Sequence, residues 1–183
     1  RSMAVRNRLR SVASHNTLQI DDNEPNGLPS AAPFRLTPKG HGELIAHDSG
    51  WAELHYQWAK PKVLHTRRFA WQRAEHQWLI ADALQGSGEH TLTWRFRVHP
   101  AVDVQPQGRA VRLRLPSDKF VLLSPLTPPD GLRLDVEAGD YCPAYGVQQT
   151  CRVLVYSWQT SLPIALSFTL QVEQSDDPPV EEN

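Results

Sequence analysis

From Ile164 to Val172 the chain alternates strictly, with Ile164, Leu166, Phe168, Leu170 and Val172 on one side and Ala165, Ser167, Thr169 and Gln171 on the other. Period two is the repeat of a β-strand with one dry and one wet face. The same pattern returns at Leu92, Trp94, Phe96 and Val98 against Thr91, Thr93, Arg95 and Arg97, at Val111, Leu113 and Leu115 against Arg112 and Arg114, and at Leu132, Leu134 and Val136 against Arg133, Asp135 and Glu137. Further strands are predicted over Glu43–His47, Trp51–Trp58, Val63–Trp71, Trp78–Asp82, Phe120–Leu123 and Arg152–Trp158, and helical periodicity is nearly absent. Fifteen prolines and ten glycines supply turns, as in Asp48-Ser49-Gly50, Gln85-Gly86-Ser87-Gly88 and Pro128-Pro129-Asp130-Gly131. Many strands with one dry face each are satisfied by two sheets packed face to face. The expectation is an all-β fold, a large antiparallel two-sheet β-sandwich rather than a barrel.

A chain of 183 residues, 40% hydrophobic and 21% charged, fits one soluble domain with a substantial core. Its expected extent is residues 1–172, followed from about Glu173 by an acidic, proline-containing solvated tail, 173–183. The proline-rich stretch Asn23–Gly40 reads as one long loop. Nineteen basic residues against twenty acidic ones give no reason to expect nucleic-acid wrapping or adhesion to an anionic membrane, so charge-based recognition has to be local. No apolar run approaches the roughly 20 residues of a membrane span. Arg1 to Arg10 is basic without an apolar signal core, so the chain offers no export signal of its own. Cys142 and Cys151 flank a connection containing Pro143, Tyr145 and Gly146; a disulfide and two half-buried thiols explain them equally well.

The segment Arg10–Asp22 holds the candidate for chemistry. Read as a strand, it places Val12, Leu18 and Ile20 on one side and His15, Thr17 and Gln19 on the other, so that His15 points away from the core. An imidazole, with an ordinary pKa of about 6.5, can take or give a proton at neutral pH. The plainer alternative is an exposed strand histidine making one hydrogen bond. Arg95, Arg97, Arg112 and Arg114 share wet faces, and on neighbouring strands they would form a cationic stripe suited to carboxylate or sulfate; otherwise they belong to a solvated sheet face with charge pairs. Trp94 and Trp158 read as core, whereas Trp51 or Trp58 can serve as a sugar-stacking platform. No pair of carboxylates facing a cleft is evident, which argues against a self-contained glycoside hydrolase.

Several landmarks in order resemble the C-terminal β-domain of the heparinase II/III-like proteins, bacterial polysaccharide lyases and their relatives. They are Arg6-Asn7, Arg10-Ser11, His15-Asn16-Thr17, Phe34-Arg35-Leu36, His47-Asp48 with Gly50-Trp51, and His65-Thr66-Arg67-Arg68. Asp82-Ala83-Leu84 with Gly86, Gly88, Glu89 and His90, then Trp94-Arg95-Phe96 and Tyr145-Gly146, complete the series. The resemblance implies a supersandwich-like β-domain preceded in the parent chain by an α-helical toroid absent here, with an anionic polysaccharide such as a glycosaminoglycan bound between the two. It implies β-elimination: a base removes the proton beside a uronate carboxylate, the carboxylate is neutralised, and an acid protonates the leaving oxygen.

Carried over by resemblance, His15 is the groove histidine, either base or carboxylate neutraliser, and Asn16 is its orienting or packing neighbour. Arg95, Arg97, Trp51 and Tyr145 are candidate substrate-binding residues. Some members hold zinc in the β-domain through two histidines and an aspartate; His65 matches one ligand, with Asp48 or Asp22 as completing candidates, but Thr17 stands where another ligand is expected. A structural His65, bonded within the sheet, is the competing reading. The implied location is periplasmic or secreted, and the isolated chain is expected to have little or no lyase activity. The alternative, from a different class, is a non-catalytic module that binds carbohydrate or supports a neighbouring domain.

Overall fold

Alternation becomes sheet along most of the chain. In a computed structural model that describes residues 3–29, 31–32 and 34–173, a short helix α1 (Met3–Arg10) and one 3-10 turn (Val12–Ser14) lead into the strands. These are β1 (Leu18–Ile20), β2 (Asn26–Gly27), β3 (Thr37–Pro38), β4 (Gly40–Asp48), β5 (Trp51–Trp58), β6 (Val63–Gln72) and β7 (Gln77–Gln85). They continue as β8 (Glu89–Val98), β9 (Asp103–Gln107), β10 (Ala110–Arg114), β11 (Phe120–Leu126), β12 (Arg133–Tyr141), β13 (Gln149–Ser161) and β14 (Ile164–Val172). Four strands form one sheet in the order β1-β8-β13-β12, and eight form the other in the order β4-β5-β6-β7-β14-β11-β10-β9. Both are antiparallel throughout, and their dry faces meet as the alternation demands.

The core is made of the residues that period two selects. Leu92, Trp94, Leu154 and Tyr156 from the small sheet meet Leu84, Val111, Leu123, Leu166 and Phe168 from the large one. Phe168 is the centre of an aromatic cluster, with ring centroids 4.9 Å from Tyr156, 5.1 Å from Phe96 and 6.0 Å from Trp94. At about 4.8 Å per strand, eight strands span roughly 34 Å and four roughly 14 Å, so the large sheet overhangs the small one. On the β4 side the overhang is bare: β4 is exposed along almost all its length, and Leu44, Ile45 and Leu54 lie in the open.

Several local expectations are corrected. Residues 12–17 are not strand but a 3-10 turn and bends, and β1 is only three residues long. Helix α1 was invisible to periodicity because it buries no residue and so carries no apolar stripe. Gln19, expected on the wet face, is 5% exposed, because its carboxamide accepts from Arg95 Nη1 at 2.7 Å and donates to the Asn23 carbonyl. The stretch 23–40 contains the β2–β3 pair rather than loop alone. Arg95 and Arg97 lie on β8 while Arg112 and Arg114 lie on β10 of the other sheet, so the four make no common stripe. Arg112 instead pairs with Glu173 at 2.7 Å and covers the Phe120 ring, and Arg114 pairs with Asp118. Glu173 is thereby fixed rather than part of a tail, and residues 174–183 of that expected tail lie outside the described residues.

Candidate functional site

His15 sits where the 3-10 turn gives way to β1, and it is exposed. What distinguishes it from a loop histidine is the mount beneath it. Arg97 Nε donates to the Ser14 carbonyl at 2.8 Å, and Nη2 donates to the Ala13 carbonyl at 2.9 Å. The backbone N–H of Arg97 donates to Asn16 Oδ1 at 2.8 Å, while Arg67 Nη1 reaches the Asn16 carbonyl at 3.3 Å. From the other end of the turn, Val12 N–H donates to Glu24 at 2.9 Å, and the Ser14 hydroxyl donates to the Arg8 carbonyl at 2.7 Å. Backbone on both sides of His15 is therefore tied to β8 and β6, while its ring is left open to solvent. The side-chain oxygen of Asn16 is spent on β8.

Arg67 is in turn held from inside the sandwich. Asp82 has no exposed side-chain surface; its Oδ1 accepts from Arg67 Nε at 2.7 Å and lies 2.6 Å from His65 Nε2. Its Oδ2 accepts from Arg67 Nη2 at 2.7 Å and from Trp94 Nε1 at 3.0 Å. Burial alone would raise this carboxyl, but the His65 hydrogen bond and the Arg67 charge overcome it and hold the pKa down to about 2. A buried carboxylate with a bidentate guanidinium and two further donors has its lone pairs taken. His65 bonds Asp82 rather than Asp48 or Asp22, and among the described residues no group of three histidine, cysteine or carboxylate side chains is gathered to hold an ion. Among the described residues no zinc ligand set is gathered around His65, whose Nε2 is bonded within the sandwich to Asp82.

Three cavities reach the residues on either side of His15, whose own side chain lines none of the three. Ser14 lines one, of about 810 Å³, together with Arg6, Arg10, Arg97, Tyr141 and Tyr145. Its one carboxylate, Asp140, is paired with Arg8 at 3.0 Å, so the wall is net basic. Arg97 Nη1 is buried beside Gly139 and makes no hydrogen bond among the described residues. Gly139 makes room for it: a Cβ at that position would stand 2.6 Å from Arg97 Nη1. Asn16 and Thr17 line the second cavity, of about 500 Å³, formed where β1 stops short above the overhanging β4–β6.

Of the residues singled out from sequence, Arg97 and Tyr145 line one cavity, Tyr145 fully exposed, and Arg97 bonds Asn16 and the backbone that precedes His15. It separates two others. Arg95 is half-buried against Gln19, its guanidinium disfavoured by burial and supported by Glu137 and Asp22. Trp51 lies at the far end of β5 under Arg68, whose guanidinium carbon is 4.3 Å from the ring centroid. Sequence reasoning missed Asp82 and Arg67 as supports. Their signal was a charged residue at inward parity, Asp82 between Ile80 and Leu84 and Arg67 between His65 and Phe69. Cys142 is exposed and Cys151 buried, both as free thiols, with Cys151 registered opposite Gly139 rather than opposite Cys142.

The model of the heparinase II/III-like C-terminal domain family matches residues 1–176. Among solved structures, a mutant heparan sulfate lyase from Pedobacter heparinus superposes with a TM-score of 0.74 at 15% identity, covering 97% of this chain and 27% of that one. A heparinase III structure gives 0.71 at 15% identity, over 94% of this chain and 26% of that one. A putative aldose 1-epimerase from Escherichia coli gives 0.54 at 11% identity, over 73% and 69% of the two chains. No curated relative matches the sequence. The chain spans about a quarter of the heparinase structures it resembles, and at these identities they speak for the fold alone. With a family model matched over nearly its whole length and a sandwich of the same architecture, this chain belongs to the heparinase II/III-like C-terminal domain family.

Proposed function

We propose that this domain forms one wall of the substrate groove of a polysaccharide lyase that cleaves uronic-acid-containing glycans by β-elimination, with His15 acting at the scissile uronate. The observation that carries this reading is a solvent-facing imidazole on a backbone fixed from both sides, beside a basic cavity. A catalytic group has to be exposed to substrate yet immobile, and a loop histidine without function needs no such mount.

In the reaction, a base takes the proton on the carbon bearing the uronate carboxylate. The electron pair forms the ring double bond, the neighbouring C–O bond breaks, and the leaving oxygen takes a proton from an acid. His15 serves as that base or, protonated, as neutraliser of the carboxylate. Arg97 and Tyr145, which line the basic cavity on the Ser14 side, hold the anionic sugar. The remaining acid and base belong to the helical part of the parent protein, so the isolated domain turns over little or no substrate. The substrate class places the enzyme's work in the periplasm or outside the cell.

In the full-length protein, His15→Ala abolishes formation of the unsaturated uronate, followed by its ultraviolet absorbance, with the thermal transition unchanged. Undiminished product formation refutes the catalytic role and favours a module that only binds glycan or supports its neighbour.

A further inference from the structure

The outer faces of the two sheets differ sharply in charge. Outward from the small sheet point Arg95, Arg97, Arg133, Asp135 and Glu137. On the large sheet β7 turns Leu79, Ala81 and Ala83 outward, β14 turns Ala165 and Ser167, and β11 adds Leu126, 44% exposed. Among the described residues, no charged side chain stands at an outward position of these three strands. Depletion of charge at the centre is the compositional mark of a protein–protein interface. The polar groups on this face are already turned toward one another: Thr169 Oγ1 donates to the Ser124 carbonyl, Ser124 Oγ to the Pro125 carbonyl, and Gln77 Nε2 to Gln72 Oε1 at 2.8 Å. Covering the face therefore strips water from few groups that lack a partner. Charges begin only at the margins, and there they come in pairs. On β6, Arg68 lies over Trp51 and 3.9 Å from Glu53; on β10, Arg112 covers Phe120 and pairs with Glu173 at 2.7 Å.

We infer that this face docks a second copy of the chain, the two large sheets meeting back to back about a two-fold axis near Ser167. In such a contact each patch meets itself, so a patch of one sign would repel its own copy. An uncharged centre with margins whose charges cancel in pairs is the pattern that self-association permits. The size of the face is also adequate. The five strands from β6 to β10 in sheet order, β6-β7-β14-β11-β10, with β7 and β14 nine residues long, present roughly 600 Å² in flat projection. Accessible surface exceeds projection, which brings the patch near the about 800 Å² per partner of a standard stable interface. Small side chains at the centre let the two sheets close to about 10 Å and stack at the shallow angle that sheet twist imposes. Arg67, which holds Asn16, points to the other side of β6, so this pairing leaves the His15 turn uncovered.

The test is sedimentation equilibrium of the full-length protein, which is expected to run at twice its chain mass at about 10 µM. Ser167→Glu and Ser167→Arg each put a charge beside the axis, where it faces its own copy, and each weakens association by at least about a hundredfold. Ser167 is half-buried and faces outward, so both variants melt within about 3 °C of the unsubstituted protein. Mixed in equal amounts, the two variants recover the dimer mass, because the carboxylate of one copy then meets the guanidinium of the other; damage to the fold would not be repaired by mixing. An unsubstituted protein that stays monomeric up to about 100 µM overturns the proposal, whether the face is bare or covered by another part of the parent chain. So does either variant that dimerises alone as well as the unsubstituted protein, or a mixture that remains monomeric.

Discussion

Replacing Asp82 by Asn is the severest test of how His15 is supported. The carboxylate is wholly buried and takes hydrogen bonds from Arg67 twice, from Trp94 and from His65. The carboxamide keeps the shape but turns an acceptor into a donor facing donors, and it leaves the Arg67 guanidinium, 10% exposed, without its counter-charge. Removing one partner of a buried ion pair costs about 3–5 kcal/mol. For a chain of this size each kcal/mol moves the midpoint by about 2–4 °C, so the expected loss is on the order of 10 °C in a calorimetric melt at pH 7.

Two controls separate the mechanism from general damage. Replacing both partners with apolar residues, Arg67→Met with Asp82→Leu, removes the unpaired charge as well and recovers much of the loss. The acid limb gives the second control. Because the folded-state pKa is held near 2, below its ordinary value of 3.8, the group stabilises the fold above about pH 4, and that contribution drains away as pH falls toward 2. A depression of nearly two units corresponds to roughly 2 kcal/mol, which the Asp82→Asn variant lacks, so the two proteins converge in stability at low pH. A loss under 1 kcal/mol at pH 7, or a gap that does not narrow in acid, refutes the account of Asp82 as the charged anchor of Arg67.

Gly139→Ala drives a methyl into Arg97 and Val153 and costs roughly 1–3 kcal/mol, and in the full-length protein it lowers kcat more than a substitution of equal stability cost remote from Arg97; equal effects on kcat would separate Arg97 from the mount. Burial disfavours the charged form of His90, but its hydrogen bond to Asp21 at 2.6 Å outweighs this and raises its pKa. Its contribution to stability is thus full below the unfolded value and lost as pH rises through the folded one. Asp21→Asn should move the His90 proton resonance to titrate at lower pH in a nuclear magnetic resonance series, and an unmoved midpoint contradicts the pair. One thiol per native chain, Cys142, reacts with a disulfide reagent, and two react in denaturant; no reactive thiol in the native state means the cysteines are paired.

The fold was legible because its signal is repeated and redundant. Phe168, Trp94 and Leu154 each belong to a run in which every second residue is apolar, and a single interruption does not change the parity of the rest. The site was legible only in part, since nothing repeats there. His15 was correctly expected outside the core, but for the wrong local reason: it stands on a turn, and its exposure comes from side chains 52 and 82 residues further along the chain, Arg67 and Arg97, bonding the backbone around it. Arg97 has strand parity identical to that of Arg95, and the sequence gives no ground to separate them. What separates them is the partner strand: β1 brings Gln19 over Arg95, while the turn before β1 brings bare carbonyls over Arg97. The arginine beside the end of the strand therefore lines a cavity, while the one beside its middle is held by a side chain. The same three-residue brevity of β1 leaves the ledge of β4–β6 uncovered and so opens the second cavity. A longer β1 would have covered that ledge and put residue 15 into the ladder, with its backbone pairing to β8 in place of the Arg97 side chain.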